Sequence, residues 1–234
     1  MTTESSDETP LFDRNPELAA TYDRGPRWFV PAYDLSHGLI SVLLGERLGA
    51  EAHVLIVAAG GGVELCLLAR EHPGWRFTAI DPSAAMLEQA RAKASAEGLA
   101  DRVSFVQGYV EDAPEGPYDA ATALLVLAFL ADDGGKLGFL AEIHRRLRPG
   151  APFVLMDGAV APGAPFEEAL RLYEAAARRN GAPDEIVSVA VAMQRDTINY
   201  VSPERETALL QEAGFTDARL FLKAFMIHGW LAAA

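Results

Sequence analysis

The feature that most constrains the fold is an alternation of short apolar runs with helix-length amphipathic segments, which begins near residue 53. The apolar runs have the composition of buried strands and read HVLIVA, RFTAI, RVSFVQ, YDAATALL and PFVLMD. Residues 64–71, 83–97 and 134–147 lie between them and carry apolar side chains at helical spacing, with Ser83 as a predicted N-cap. Strands that alternate with helices form parallel sheets, so the pattern predicts an α/β, Rossmann-like doubly wound fold.

The alternation breaks after the fifth run, where two further helices are predicted over residues 165–180 and 184–193. They belong to an insertion, residues 158–202, that we expect to form a helical cover over a site. The chain then returns to a helix in SPERETALLQEAGF and to two apolar runs, ARLFLKAF and MIHGWLAA. These two runs should form a terminal antiparallel hairpin, which gives a mostly parallel, seven-stranded sheet.

The N-terminal part of the chain is predicted to be a second cover. Residues 11–49 look mainly helical and are rich in aromatic side chains, whereas residues 1–10 have the composition of a disordered tail. A chain of 234 residues suits one domain with insertions better than two full domains. We therefore expect a single domain over residues 11–234.

The charge balance narrows the class of partner. The chain has 33 acidic and 20 basic residues, a formal charge of −13, and its basic residues are scattered. A polyanion would meet a repulsive field, so a nucleic-acid substrate is disfavoured. No stretch approaches the roughly 18 apolar residues that span a bilayer, and no signal region is recognised, so we expect a cytoplasmic protein without membrane contact.

A glycine-rich turn follows the first predicted strand. HVLIVA runs into Ala59 and three glycines, and the next strand ends in Asp81, which is 21 residues after Gly60. Glycines allow close backbone approach to a ligand, and an acid at this distance accepts hydrogen bonds from ribose hydroxyls. The pattern predicts nucleoside binding. The alternative is a purely structural turn, with Asp81 as a helix cap.

A dinucleotide site would require the glycine pattern G-x-G-x-x-G. The aligned positions here are Ala58, Gly60 and Val63, so two of the three glycines are missing. Because a pyrophosphate must sit on the bare start of the helix, a nicotinamide or flavin enzyme is the lesser alternative.

Several linked motifs resemble those of class I S-adenosylmethionine-dependent methyltransferases. They are VLIVAAGGG, AIDPSAAMLEQAR, VSFVQGYVEDAP, YDAATALLVLAFL, LRPGAPFVLMD and the terminal AGF, and the resemblance extends from about Phe12 onward. It implies a single methyltransferase domain, with S-adenosyl-L-methionine as cofactor. The implied cofactor-binding residues are Ala58, Gly60, Gly61, Gly62, Asp81, Pro82, Met86, Val110, Glu111, Asp112, Leu124 and Leu125.

The resemblance also implies a role for each part of this set. The glycines would pass under the methionine part of the cofactor, Asp81 would hold the ribose, and Pro82 would press against adenine. Either Glu111 or Asp112 would bind the adenine edge through its carboxylate. Leu124 and Leu125, at the end of the fourth strand, would face the methionine part, and Met86 would line the same pocket.

This sequence departs from the family pattern at three positions. The acidic residue usual near the start of the glycine motif is Ile56, the first glycine is Ala58, and the acid usual before the adenine contact is Tyr109. These changes imply that the cofactor binds more weakly or is anchored differently. They also keep open a non-catalytic protein that binds an adenosyl ligand.

Methyl transfer from a sulfonium is an in-line displacement, so holding the acceptor in place and excluding water can supply most of the acceleration. A base is optional, but an acceptor that loses a proton benefits from one nearby. The catalytic candidates all lie in the predicted cover segments: Tyr22, Tyr33, His37, Arg195 and Tyr200. No metal site is assigned.

A closer similarity links the chain to carboxy-S-adenosylmethionine synthases and their methyltransferase-like relatives. The similarity lies in VPAYDLSHGLISVL, VLAFL and SPERETALLQEAGF. In those enzymes an aromatic residue and an arginine reach the cofactor, and the similarity maps them onto Tyr33 and Arg195. Leucines replace the site residues around the fourth strand, which disfavours the synthase reaction. We therefore predict methyl transfer to a small-molecule acceptor, uncharged or aromatic, with a cofactor-modifying synthase as alternative and with homodimer formation implied.

Overall fold

The computed structural model describes residues 9–14 and 24–234. Its strands are β1 (Ala52–Val57), β2 (Trp75–Asp81), β3 (Val103–Gln107), β4 (Ala120–Leu124), β5 (Pro152–Gly158), β6 (Thr216–Ala224) and β7 (Ile227–Ala233). Its helices are α1 (Leu11–Arg14), α2 (Gly25–Phe29), α3 (Tyr33–Gly45), α4 (Val63–Glu71), α5 (Ala84–Ala96), α6 (Gly135–Arg146), α7 (Ala164–Arg179), α8 (Asp184–Asp196) and α9 (Pro203–Glu212). The prediction of a disordered tail over residues 1–10 falls mostly on residues 1–8, which lie outside the described residues.

The seven strands of the described residues form one sheet in the order β3-β2-β1-β4-β5-β7-β6. The first five are parallel, and β7 pairs antiparallel with both β5 and β6. This arrangement confirms the predicted mostly parallel sheet with a terminal antiparallel hairpin. The strand order reverses between β1 and β4, and ligands of doubly wound sheets bind at the carboxyl ends of strands beside such a point.

Local sequence signals account for the ends of several helices. The Ser83 hydroxyl accepts a hydrogen bond from the Met86 N–H at 3.2 Å, which confirms the predicted cap of α5. Ser202 caps α9 in the same way through the Arg205 N–H, at 3.2 Å, with Pro203 in the first turn. Each serine satisfies a backbone donor that has no partner within its own helix.

Helices cover both faces of the sheet, and each face buries one apolar cluster. A third apolar cluster lies at the carboxyl edge. The face covered by α3, α4 and α5 buries Ile40, Leu44, Val54, Ile56, Leu65 and Leu68. The face covered by α6 and α9 buries Leu55, Val57, Leu140, Ile143 and Leu209. The third cluster joins α2, α7 and α8 to the carboxyl end of β5 through Phe29, Met156, Leu170, Tyr173 and Val187.

Two sets of contacts fix the direction of α3. Near its end, the Ser41 hydroxyl lies 2.9 Å from His72 Nε2, at the amino edge of the sheet where α4 has ended. Just before its start, Phe29 stacks on Tyr173 of the cover helix α7, with ring centroids 5.0 Å apart. Helix α3 therefore runs parallel to α4, and its first turn lies at the carboxyl edge.

Among the described residues, no helix is long and apolar enough to cross a membrane.

Ionisable side chains are buried together under the carboxyl edge. The Lys136 ammonium donates to the Leu127 carbonyl at 2.7 Å, and Asp157 accepts from the N–H groups of Ala128 and Gly158 at 3.1 and 2.7 Å. Glu206 is 0% exposed, and neither of its carboxyl oxygens has a hydrogen-bond partner among the described residues. Burial, together with the nearby Asp157, raises the pKa of Glu206 to about 9, although Lys136 opposes the rise.

We expect Glu206→Gln to stabilise the protein increasingly as pH rises. Between its ordinary pKa of 4.5 and about 9, Glu206 keeps a proton in the folded state that the unfolded chain has lost. The free energy of unfolding therefore falls with pH through that window, and the glutamine variant escapes this loss. Thermal unfolding should show a gain of at least roughly 1 kcal/mol, or about 2–4 °C, at pH 8 relative to pH 5. Glu168→Gln, at an exposed position of α7, is the control and should give no pH-dependent gain.

Candidate functional site

The glycine turn after β1 is held tightly against α5. Gly60 and Gly62 have φ angles of +52° and +80°, and a Cβ atom at Gly62 would lie 2.9 Å from the Ala90 Cα atom. The Lys93 ammonium donates to the Gly61 carbonyl at 2.7 Å. Only glycine tolerates both this backbone conformation and this close approach, so the loop is a shaped element of the site.

Asp81 joins the end of β2 to the glycine turn. Its Oδ2 accepts from the Gly60 N–H and its Oδ1 from the Ser83 N–H, both at 2.9 Å. The side chain is 7% exposed, and burial, with a contribution from Asp13, raises the pKa of the carboxyl against the lowering effect of the two N–H groups. Each carboxylate oxygen has two lone pairs, so Asp81 can still accept bonds from ribose hydroxyls.

Asp13, which sequence analysis did not single out, caps the same corner from the N-terminal segment. Its carboxylate accepts from the Ser83 hydroxyl at 2.6 Å and from the Ala85 and Ala84 N–H groups at 3.0 and 3.2 Å. Burial raises the pKa of Asp13, but these hydrogen bonds outweigh it and lower the pKa overall. No local pattern reveals a cap that arrives from 70 residues away.

The two acids near the end of β3 differ in what they do. The Asp112 carboxylate accepts from the Tyr109 N–H at 2.9 Å and so closes its own short turn. Glu111 is exposed beside the buried Val110. Of the two predicted adenine contacts, Glu111 is therefore the better candidate, because its carboxylate does not form the hydrogen bond that closes this turn.

The end of β4 carries backbone strain. Leu125 has a φ of +57°, a left-handed conformation that is rare for a bulky residue, and its N–H donates to the Met156 carbonyl at 2.7 Å. Leu124 and Leu125 are partly buried against the apolar cover cluster. They give the carboxyl edge an apolar wall beside the glycine turn.

The remaining predicted cofactor contacts lie on the β2 side of this edge. Pro82 is partly buried between Asp81 and the cap of α5. Met86 is 0% exposed, so its side chain lies in the interior behind the site.

Two of the catalytic candidates lie in the first turn of α3. The buried His37 ring is edge-on to the Tyr33 ring, at 4.5 Å between centroids, and its Nδ1 lies 2.7 Å from the Tyr33 carbonyl oxygen. Burial lowers the pKa of His37, although the hydrogen bond to Tyr33 opposes this. A neutral ring that donates from Nδ1 leaves Nε2 as its proton acceptor.

The other candidates are placed differently. The Tyr200 hydroxyl donates to the Gln194 side-chain carbonyl, and burial raises its pKa well above the ordinary value, which makes it a donor and a poor base. The Arg195 guanidinium is about half exposed and forms a two-point ion pair with Glu167, at 2.7 and 2.8 Å. Tyr22 lies outside the described residues.

The residues at the carboxyl edge fit an adenosyl amino acid better than a metal ion. Three features lie close to the point where the strand order reverses. They are the buried Asp81 carboxylate, the turn that has room only for glycine at position 62, and the apolar end of β4. Among residues 9–14 and 24–234, no cluster of three or more His, Cys, Asp or Glu side chains is arranged to hold a metal ion. The donor set matches a ribose beside an amino-acid moiety.

Comparisons with known proteins agree with this geometry. The sequence family described as "Methyltransferase domain" matches residues 54–150. A carboxy-S-adenosyl-L-methionine synthase from Campylobacter curvus is 29% identical over 80% of this chain and 79% of its own length. Residues 54–150 thus match a methyltransferase domain family, and the chain is similar to carboxy-S-adenosyl-L-methionine synthases over most of its length.

Two further comparisons match the chain less completely. A trans-aconitate 2-methyltransferase from Paracidovorax citrulli is 35% identical over 60% of this chain and 48% of its own length. The structure of PigF with SAH superposes with a TM-score of 0.65 at 17% identity, over 95% of this chain and 61% of that chain. The chain thus spans less than two thirds of both proteins.

We expect Ala58→Gly to leave stability unchanged or to raise it by up to about 1.5 kcal/mol. Ala58 has a φ of +55°, where a side chain costs about 1–2 kcal/mol, whereas the entropy of glycine costs about 0.5–1 kcal/mol. The matched control is Ala92→Gly at an exposed site in α5, which should destabilise by about 1 kcal/mol. Urea unfolding measures both, and an equal loss in the two variants would contradict strain at Ala58.

Proposed function

We propose that the protein transfers the methyl group of S-adenosylmethionine to a small-molecule acceptor bound between the carboxyl edge of the sheet and helices α7 and α8. When bound, the cofactor supplies an electrophilic methyl group on its sulfonium. The observation that carries the proposal is the Asp81 carboxylate, which is buried and hydrogen-bonded to Gly60 in the turn beside the point where the strand order reverses.

The residues of the chain would share the work of binding. Asp81 accepts hydrogen bonds from the ribose, and the turn through Gly60 and Gly62 lies under the methionine part. Leu124 and Leu125, backed by the cover cluster, keep water from the reacting atoms. Exclusion of water and fixed placement of the acceptor are the main sources of acceleration in such a displacement.

The cover favours an acceptor with an uncharged, apolar body. The cluster that faces Leu124 and Leu125 contains aromatic and aliphatic side chains, and the hydroxyl of Tyr200, which packs against it, donates to the side chain of Gln194. Pockets of this composition bind apolar ligands and orient them with a few polar groups. If the acceptor loses a proton, the neutral ring of His37 is the base best placed to take it.

The carboxy-S-adenosylmethionine synthase reaction is the second candidate, because relatives so named match most of the chain. Arg195 is the residue that would bind a carboxylate in that reaction. Its guanidinium already has a carboxylate partner in Glu167, so an acidic ligand would have to displace that pair. This contact favours methyl transfer over the synthase reaction.

Mass spectrometry of the nucleosides that copurify with the protein distinguishes the candidates. S-adenosylmethionine or S-adenosylhomocysteine supports the methyltransferase, whereas a carboxylated cofactor supports the synthase. A protein that no adenosyl ligand stabilises against heat would contradict both.

Asp81→Ala should weaken the binding of S-adenosylhomocysteine about 100-fold, because two hydrogen bonds to a charged group together contribute about 3 kcal/mol. Isothermal titration calorimetry measures this, and circular dichroism checks that the variant is folded. Asp101→Ala, at an exposed carboxylate outside the site, should bind like the wild type. Equal affinities of the two variants would remove Asp81 from the site.

Three broader features remain predictions that accompany the proposal. We expect a homodimer, supported by exposed apolar side chains such as Leu172 and Val189 on the cover helices, and sedimentation velocity measures it. We also expect a single functional domain over residues 11–234. A cytoplasmic location is consistent with the buried free thiol of Cys66.

A further inference from the structure

The loop after β4, residues 125–130, contains a peptide group that two buried charges hold in place. The Lys136 ammonium, 0% exposed in the first turn of α6, donates to the Leu127 carbonyl at 2.7 Å. The Asp157 carboxylate, 3% exposed near the end of β5, accepts from the Ala128 N–H at 3.1 Å. This carbonyl and this N–H belong to one peptide unit, so a cation and an anion bind its two polar ends.

Both charges favour a single orientation of this peptide. A flip would turn its carbonyl toward the Asp157 carboxylate and its N–H toward the Lys136 ammonium, and both contacts are repulsive in the low dielectric of the interior. Burial lowers the pKa of Lys136 and raises the pKa of Asp157, but each group stabilises the charge of the other. We refer to these two side chains as the peptide clamp.

The rest of the loop is fixed by its neighbours. The Asn199 N–H donates to the Ala128 carbonyl at 2.7 Å, and the Asn199 side chain donates to the Phe129 carbonyl at 3.4 Å. Leu125, with its φ of +57°, donates its N–H to the Met156 carbonyl at 2.7 Å. A bulky residue keeps such a conformation only where the surrounding structure enforces it. The peptide clamp, two residues further along the chain, contributes to that enforcement.

Stability by itself gives no reason to bury the two charges. Buried opposite charges often stabilise a protein no more than apolar side chains of the same volume, because both charges must leave water. What charges add is a fixed orientation of the peptide dipole that they contact. We propose that Lys136 and Asp157 are positioning residues that hold Leu124 and Leu125 where these leucines contact the methionine part of the cofactor; this inference rests on the proposed function.

The test removes both charges at once. Lys136→Met/Asp157→Asn keeps similar side-chain volumes and leaves neither charge buried without the other, so its melting temperature should lie within about 4 °C of the wild type. Isothermal titration calorimetry then compares two ligands that share the adenosyl thioether. S-adenosylhomocysteine carries the amino-acid part, and methylthioadenosine lacks it.

The double variant should bind S-adenosylhomocysteine about tenfold more weakly, because a loop that keeps its binding conformation about one tenth of the time lowers the apparent affinity by that fraction. The affinity for methylthioadenosine should change less than about threefold, since this ligand lacks the part that the leucines would contact. Lys223→Met, at an exposed position of β6, is the matched control and should bind both ligands like the wild type.

Other results overturn the inference. Unchanged affinity for both ligands in the double variant removes the peptide clamp from cofactor binding, and an equal loss of both assigns it a structural role. In either case the proposed function still stands. A wild-type protein that binds neither of these ligands nor S-adenosylmethionine would instead refute the proposed function itself.

Should the double variant fail to fold, hydrogen exchange of the wild-type protein without ligand decides the matter. With the peptide clamp in place, the Ala128 N–H should exchange at a rate within about tenfold of the rates in β4. A loop that becomes protected only when S-adenosylhomocysteine is added would be ordered by the ligand and not by the clamp, and the inference would then be wrong.

Discussion

The hydrogen bonds that the Asp81 carboxylate accepts from Gly60 and Ser83 are the interaction on which the rest of the site depends. They join the end of β2, the glycine turn and the start of α5 at a single buried group. Because Gly62 also packs on Ala90, the turn has little freedom to move away from α5. These contacts hold the carboxyl edge of the sheet in place, so a ligand would bind to a largely preformed surface.

Burial of ionisable groups is the second theme of this edge of the sheet. Glu64 and Glu206 are both buried, but they differ in their partners: the Thr122 hydroxyl is hydrogen-bonded to Glu64, whereas neither carboxyl oxygen of Glu206 has a partner among the described residues. Glu206 lies with Lys136 and Asp157 beneath the carboxyl edge of the sheet, where ionising its buried carboxyl lowers the stability of the folded protein. Glu64 lies in the first turn of α4, where burial raises its pKa to about 7 and the Thr122 hydroxyl opposes the rise.

Local sequence signals predicted the elements well and the cover less well. The strand runs, the Ser83 cap and the 21-residue spacing to Asp81 depend on neighbours along the chain, and the structure confirms the resulting sheet. Arg195 was chosen because a family resemblance mapped it, yet its partner is Glu167 on another helix. The role of Asp13 was not predicted, because its hydrogen-bond partner Ser83 lies 70 residues away in the sequence.

The sequence by itself determined the alternation of strands and helices, the glycine turn and the acid that follows it, because each is set by residue spacing and backbone preference. Only the tertiary structure decided which side chains share the site. Glu64 reaches Thr122, and Ile56 pairs with Thr122, because two strands distant in sequence lie side by side. Contacts between distant segments follow from packing the whole chain, and no local pattern encodes them.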